Sequence, residues 1–242
     1  MMKKILAATT TLCLVGSLTA IASASAATPT SLNGLTGAQI EAVALAQMRA
    51  AGSYTMTVTS AISGFTGTST TSSTLTSGIR HDVVNGQRGE KIFVNGVVYV
   101  NLTTALEKIY FGKVIPAFSN KWISFTRGQP YYSLFSTTMA ESTLAPILKF
   151  RGALTVSPPL TYDAQRVVGI SSAASSSTAA SGVLETLYVA DTPPFLPVAL
   201  VITAHSSPAA KPIETIVFKD WGARVKVTAP RHFTSSSKFK LP

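Results

Sequence analysis

The chain has a single cysteine, Cys13, and it falls within the first 26 residues. Those residues read as an export signal. Met1 to Lys4 give a short basic start, Ile5 to Ile21 an apolar run thinned by threonine and serine, and Ala22-Ser23-Ala24 and Ala24-Ser25-Ala26 two small-residue cleavage sites. No charged residue follows as a stop, which sets the segment apart from a membrane anchor. Thr10-Thr11-Leu12 before Cys13 do not make the lipid-attachment pattern of a lipoprotein, because Leu12 is too large for the adjacent site. Cleavage near Ala26 is expected to leave a secreted, periplasmic or cell-envelope protein that is not lipid-anchored. Such a chain has no thiol, which excludes disulfides and cysteine-bound metal.

Charged residues are scarce, at 12% of the chain, and loss of Lys3 and Lys4 takes the formal net charge from +10 to +8. The basic residues form no stripe interleaved with aromatics, so nucleic acid is not an expected partner. One local excess lies at the end: Lys219, Arg224, Lys226, Arg231, Lys238 and Lys240 against Asp220. It reads as a solvated last strand and tail, or as weak attraction to an anionic envelope or acidic lipid headgroups.

Catalytic groups are equally thin. His81, His205 and His232 lack metal-type spacing, no G-x-S-x-G elbow presents a nucleophile, and no glycine-rich phosphate loop appears. No cofactor or metal is expected, and the chain is read as non-enzymatic. A triad assembled in space from distant residues is the enzymatic alternative. His81 and Asp82 are adjacent in an expected strand and should point to opposite faces.

What the chain does have is strand signal. Thr36-x-x-Gln39 is a capping box and Gly52 a stop, so a helix is expected from about Gly37 to Ala51, with an alanine content that allows close approach to a sheet. Tyr54, Met56, Val58 and Ile62 then alternate with polar residues as a half-buried strand. Thr68 to Ser77 is polar on both faces, an exposed strand or a low-complexity segment. Gly78 to Val84 resumes the pattern. Val84-Asn85-Gly86 and Val94-Asn95-Gly96 are hairpin signals, because both central positions accept positive φ.

The middle is less regular. Thr104-x-x-Glu107 predicts a second capped helix through about Phe111, Trp122 to Thr126 a short strand, and Tyr131 to Phe150 a helical stretch split or started by Pro146. Strands return at Ala164–Ile170, Val183–Ala190, Pro197–Thr203, Ile213–Lys219 and Ala223–Thr228. Ser171 to Ser181 is a serine-alanine loop and Ser206 to Pro212 a turn. Residues 27–242 read as one mainly β domain of α+β class. Several late strands are apolar on both faces, so something apolar must cover the second face. Helices alone, in a solid core, satisfy that requirement; so does a bound apolar ligand.

Three stretches resemble the LolA-like lipoprotein-carrier superfamily, most closely its actinobacterial LppX/LprG-type branch. They are Ala46-Gln47-Met48-Arg49-Ala50-Ala51-Gly52-Ser53-Tyr54, the Asn-Gly hairpin entering Val97-Val98-Tyr99-Val100, and Ile216-Val217-Phe218-Lys219-Asp220-Trp221-Gly222-Ala223-Arg224-Val225-Lys226-Val227-Thr228-Ala229-Pro230. The resemblance implies a curved antiparallel half-barrel sheet with helices packed on its concave face around a hydrophobic cavity. It implies a protein that holds lipid acyl chains or another amphiphile and carries or presents them in the envelope. The alternative within the superfamily is an RseB-like sensor or protein-interaction module.

On that basis Tyr54, Met56, Val58 and Ile62 are expected to line the concave wall. Leu102, Leu106, Ile109, Leu134, Phe135, Met139, Ile147 and Leu148 are expected to form the helical plug and rim, with Trp122 at the mouth. For each, ordinary core packing is the competing reading. Trp221 is read as a pin for its turn. The expected partner is a lipid or amphiphile, with transient contact to a membrane or an envelope protein, and the chain is expected to be a monomer.

Overall fold

The computed structural model describes residues 29–62, 65–173, 183–204, 211–239 and 241. The signal segment, Cys13, His205, the turn at Ser63-Gly64, most of the serine-alanine loop and residues 205–210 lie outside them.

Thr36 caps helix α1 (Gly37–Ala51): its hydroxyl accepts from the Gln39 N–H while the Gln39 side chain accepts from Thr36, and Gly52 ends the helix in the left-handed region. A meander follows: β1 (Ser53–Ile62), β2 (Phe65–Thr74), β3 (Gly78–Val84), β4 (Gln87–Val94) and β5 (Val97–Leu102). Asn85 and Gly86 take φ of 47° and 79°, and Asn95 and Gly96 53° and 74°, which is why these two pairs make the tight turns.

Next come α2 (Thr104–Phe111), β6 (Trp122–Thr126), α3 (Tyr132–Ser136) and α4 (Glu141–Leu148), then the short β7 (Thr155–Val156) and β8 (Leu160–Tyr162). The long strands β9 (Gln165–Ala173), β10 (Val183–Ala190), β11 (Pro197–Ala204) and β12 (Pro212–Lys219) precede a final β13 (Thr234–Ser235). All belong to one curved sheet in the order β13-β6-β5-β4-β3-β2-β1-β12-β11-β10-β9-β7, with β8 also on β9. Strand β12 returns beside β1, joining the two halves of the chain through the centre of the sheet.

Several boundaries differ from expectation. The cap of α2 is Thr103, not Thr104, so Glu107 stands one position further along and turns inward, where its carboxylate accepts from the Ile115 N–H. The break in the 131–150 stretch falls at residues 137–140, and Pro146 sits inside α4 rather than splitting the segment or opening a helix. Ala223–Thr228 is not a strand. It pairs with no strand among the described residues. β2 is a true strand, and only one of its faces meets water.

That last point organises the interior. Residues opposite one another on neighbouring strands share a face, so the register can be read as rows across the concave wall. One row runs Phe218, Met56, Thr71, Arg80, Lys91, Val100, Ile123. The next runs Leu200, Ile216, Val58, Ser69, Asp82, Gly89, Leu102. Both are apolar at the ends and polar in the middle. The polar seam, on β2, β3 and β4, divides two apolar clusters.

The first cluster gathers Tyr54, Met56, Val58, Leu187, Leu200 and Ile216 beneath Ile40, Ala44 and Met48 of α1 and Leu144 and Leu148 of α4. The second gathers Val98, Val100, Leu102, Ile123 and Phe125 beneath Leu106 and Phe111 of α2 and Phe135 of α3. The α3–α4 connection lies over the seam. Ser73 donates to the Met139 carbonyl at 3.2 Å and Arg80 to the Thr138 hydroxyl at 2.8 Å.

Candidate functional site

The residues expected to form the wall and plug divide by location. Tyr54, Met56, Val58 and Leu148 are buried in the first cluster, and Leu102, Leu106, Phe135 and Met139 in the second. They are packed against their neighbours. The apolar space that Val100, Leu102, Phe111, Phe118, Ile123 and Phe125 enclose is about 10 Å³, room for about one water molecule at most. The side chain of Ile62 is outside the described residues.

Ile109, Leu134 and Ile147 point outward, 41%, 52% and 36% exposed. Helical geometry gives the reason. Leu106, Tyr110 and Phe111 take the inner side of α2, Tyr132 and Phe135 that of α3, and Leu144 and Leu148 that of α4. At about 100° per residue, Ile109 and Leu134 fall away from those sides and Ile147 on the flank of α4. Trp122 pairs with Asn101 in the row next to Val100 and Ile123, so it stands on the convex face, away from both clusters. Trp221 packs on Tyr54 and Phe218, with ring centroids 5.4 and 5.9 Å away, as a pin for its turn.

The roomier site lies in the helical layer. Between α1 and α4 runs an open cleft of about 620 Å³, lined by Ala38, Glu41, Ala42, Leu45 and Arg49 on one side and Ser142, Ala145, Pro146 and Lys149 on the other. Alanines make the room. Ala38 and Ala42 are one turn apart on the exposed side of α1, while Ala44, on its buried side, permits the close approach to the sheet. Leu45 and Ala145 form the floor and belong to the first core cluster. Glu41 is buried and accepts from the Phe150 N–H, tying the two helices at the Lys149 end. Arg49 stands two turns further along α1. The cleft is thus apolar in its floor and carries a cation towards each end, with the Glu41 carboxylate beside Lys149. Sequence reading missed it because the two helices come together only in the tertiary fold; the signal available was the Ala38–Ala42 spacing.

Beneath the α3–α4 connection lies a buried ionic group. Asp82 accepts from Ser69 at 2.6 Å and Arg80 at 2.7 Å, and Lys91 stands 2.9 Å away. Lys91 also lies over the Tyr110 and Phe135 rings, 4.8 and 5.5 Å from their centroids. Burial pushes the Asp82 carboxyl up, but the charges of Lys91 and Arg80 and the Ser69 hydrogen bond outweigh it and hold the group at about 2. His81 is exposed on the other face, as strand alternation requires, and His232 is exposed in the C-terminal segment. Neither sits beside a nucleophile presented in the cleft. Among the described residues, no group of three or more His, Cys, Asp or Glu side chains is placed to hold a metal, and no helix is long and apolar enough to cross a membrane.

No protein-family model matches the chain, and no curated protein matches it in sequence. Its shape does have solved counterparts. LprF from Mycobacterium bovis superposes with a TM-score of 0.51 at 15% sequence identity, over 80% of this chain and 96% of that one. MucB, solved in complex with MucA(peri), gives a TM-score of 0.42 at 10% identity, over 81% of this chain and 59% of that one. The chain has the fold of LprF: a curved, mainly antiparallel sheet with helices on its concave face.

Proposed function

We propose that the protein is an exported, non-enzymatic binding protein of the cell envelope that holds an acyl chain of a lipid or another amphiphile in the cleft between α1 and α4. The observation that carries this reading is the cleft itself: about 620 Å³, with a floor of Leu45 and Ala145 continuous with the core and cations near its ends. Its volume falls within the roughly 300–1,000 Å³ of small-molecule sites. Each methylene group removed from water contributes about 0.8 kcal/mol, so a chain laid along an apolar floor gains affinity with length. The Lys149 ammonium at the rim offers a contact for an anionic head, beside the Glu41 carboxylate that the Phe150 N–H holds.

The wall residues Tyr54, Met56 and Val58 and the plug residue Leu148 enter this reading as the packed layer beneath the cleft, while Leu102, Leu106, Phe135 and Met139 pack in the second cluster across the polar seam. A longer chain reaches them only if the helices part from the sheet. Protein purified from its native host and extracted with solvent is expected to release acyl species detectable by mass spectrometry, and purified mature protein to bind a fluorescent fatty-acid analogue. No acyl species together with no probe binding would remove the proposal. A stable protein partner recovered without lipid would move the assignment to a sensor module.

A further inference from the structure

The C-terminal segment crosses the convex face as a strap. After β12, Asp220 and Gly222 turn with φ of 53° and 76°, and the Gly222 N–H donates to the Ser53 carbonyl at 2.9 Å. The Ser53 hydroxyl holds the Ala223 carbonyl at 2.5 Å. The chain then runs unpaired to β13, which adds in parallel to β6 at the far side of the sheet. Just before β13, Phe233 lies edge-on to Tyr99 of β5, centroids 4.9 Å apart, and remains 50% exposed. Ser53 and Tyr99 both project from the convex side, opposite Tyr54 and Val98, so the strap is fixed to that face at both ends.

Its side chains alternate. Val225 and Val227 are half-buried, while Arg224, Lys226 and Arg231 are exposed, as is Lys219 at the end of β12. None of the four cations makes an ion pair or hydrogen bond among the described residues. The surface beside them does not neutralise them. Across β12, β1 and β2 the convex face presents Thr215, Thr55, Thr57, Thr59, Thr68 and Thr70; Glu90 of β4 stands further along the same face and Asp220 in the turn, and neither forms an ion pair with these cations among the described residues. A row of unpaired cations next to the threonine surface of β12, β1 and β2, ending in a half-exposed aromatic ring, matches the chemistry of a negatively charged lipid surface. Cations meet the headgroups and the ring sits at the interface.

We propose that this strap docks the protein on an anionic lipid bilayer through Lys219, Arg224, Lys226 and Arg231, with Phe233 as the interfacial anchor. The inference is independent of the acyl-chain cleft, since the two lie on opposite sides of the sheet. The test is co-sedimentation of the mature protein with vesicles of phosphatidylcholine alone and with phosphatidylglycerol added. Binding is expected only with phosphatidylglycerol and should weaken steeply as salt is raised.

Reversing two cations with Arg224→Glu and Lys226→Glu is expected to weaken binding about tenfold or more. Both side chains are exposed, so the thermal midpoint should be unchanged, and Arg231→Glu gives a second, separate reversal. Equal binding to phosphatidylcholine, indifference of both variants, or tighter binding of heparin than of phosphatidylglycerol vesicles would each overturn the proposal. The double variant should still bind a fluorescent fatty-acid analogue as the native chain does, so failure of docking and failure of the acyl-binding reading show up in different measurements.

Discussion

Lys91 Nζ stands 2.9 Å from Asp82 Oδ2 inside the half-barrel, with the two side chains 5% and 1% exposed. Arg80 approaches the other carboxylate oxygen, so one buried anion serves two cations. Removing the anion leaves uncompensated charge in a low-dielectric interior, which typically costs about 3–5 kcal/mol. Asp82→Asn is therefore expected to lower stability by about that amount in urea unfolding. Adding Lys91→Met should recover part of the loss, because an apolar side chain fits between the Tyr110 and Phe135 rings without a partner charge. A native-like unfolding midpoint for Asp82→Asn would show that the ion pair is not structural.

The same group makes the protein acid-sensitive in a defined window. The Asp82 carboxyl is held at about 2, below its ordinary 3.8, by Lys91 and Arg80 against the opposing effect of burial. A carboxyl with a depressed folded-state pKa contributes stability that is complete above its unfolded value and disappears as pH falls through the folded one. The contribution is about 2 kcal/mol. Stability should be flat in this term near neutrality, begin to fall near pH 4, and lose the contribution by about pH 2. In the Asp82→Asn variant the corresponding part of the acid slope should be missing when urea midpoints are compared across that range.

Gly78 fixes the α3–α4 connection onto the polar seam. A Cβ at this position would lie 1.9 Å from the Met139 carbonyl oxygen, and that atom is backbone. At Gly89 a Cβ would meet the end of the Leu106 side chain at 2.7 Å, which can rotate away. Gly78→Ala is expected to cost about 3 kcal/mol, near the upper end for overpacking, and Gly89→Ala about 1 kcal/mol. Gly78→Ala should also raise amide exchange across residues 137–140 selectively. Equal costs for the two substitutions would contradict a backbone-limited contact at Gly78.

Local chemistry explains what was legible in the sequence. The Thr36–Gln39 box and Gly52 bound α1 because they act within a few residues, and the Asn-Gly pairs set the hairpins for the same reason. The inner face of β2 was not legible. Ser69, Thr71 and Ser73 are buried hydroxyls, and no hydrophobic periodicity distinguishes them from the threonines on the outer face. Their burial is decided by Asp82, Arg80 and Met139, which come from other elements. Thr103 and Thr104 are both competent caps, and the choice of Thr103 turns Glu107 to the interior.

Pro146 sits far enough into α4 to remove a helical hydrogen bond, yet the helix continues to Leu148 with Leu144 and Leu148 both fully buried. Burial there outweighs local propensity. Ala223–Thr228 has strand-like alternation without a neighbouring strand, because the edge it would need beside β12 is already taken by β1. The candidate cleft was the least legible part. It is made by the gap between two helices roughly a hundred residues apart in sequence, and no single stretch carries its signature.

Filling the cleft is the sharpest test of where an acyl chain lies. Ala42 lines it from the exposed side of α1 and takes no part in the core clusters. Ala42→Trp places an indole over Leu45 and Ala145 without disturbing the packing beneath, at a helix-propensity cost of about half a kcal/mol. Fluorescent fatty-acid binding is expected to weaken at least about tenfold, corresponding to loss of about two buried methylene contacts at roughly 0.8 kcal/mol each, while the thermal midpoint moves little. Lys149→Glu probes the other end of the ligand. It should weaken binding of the carboxylate probe and leave its methyl ester unaffected, because the rim cation acts on charge and the floor on the hydrocarbon. If Ala42→Trp binds the probe as the native chain does, the acyl chain is held elsewhere, and the packed layers beneath the helices become the place to look.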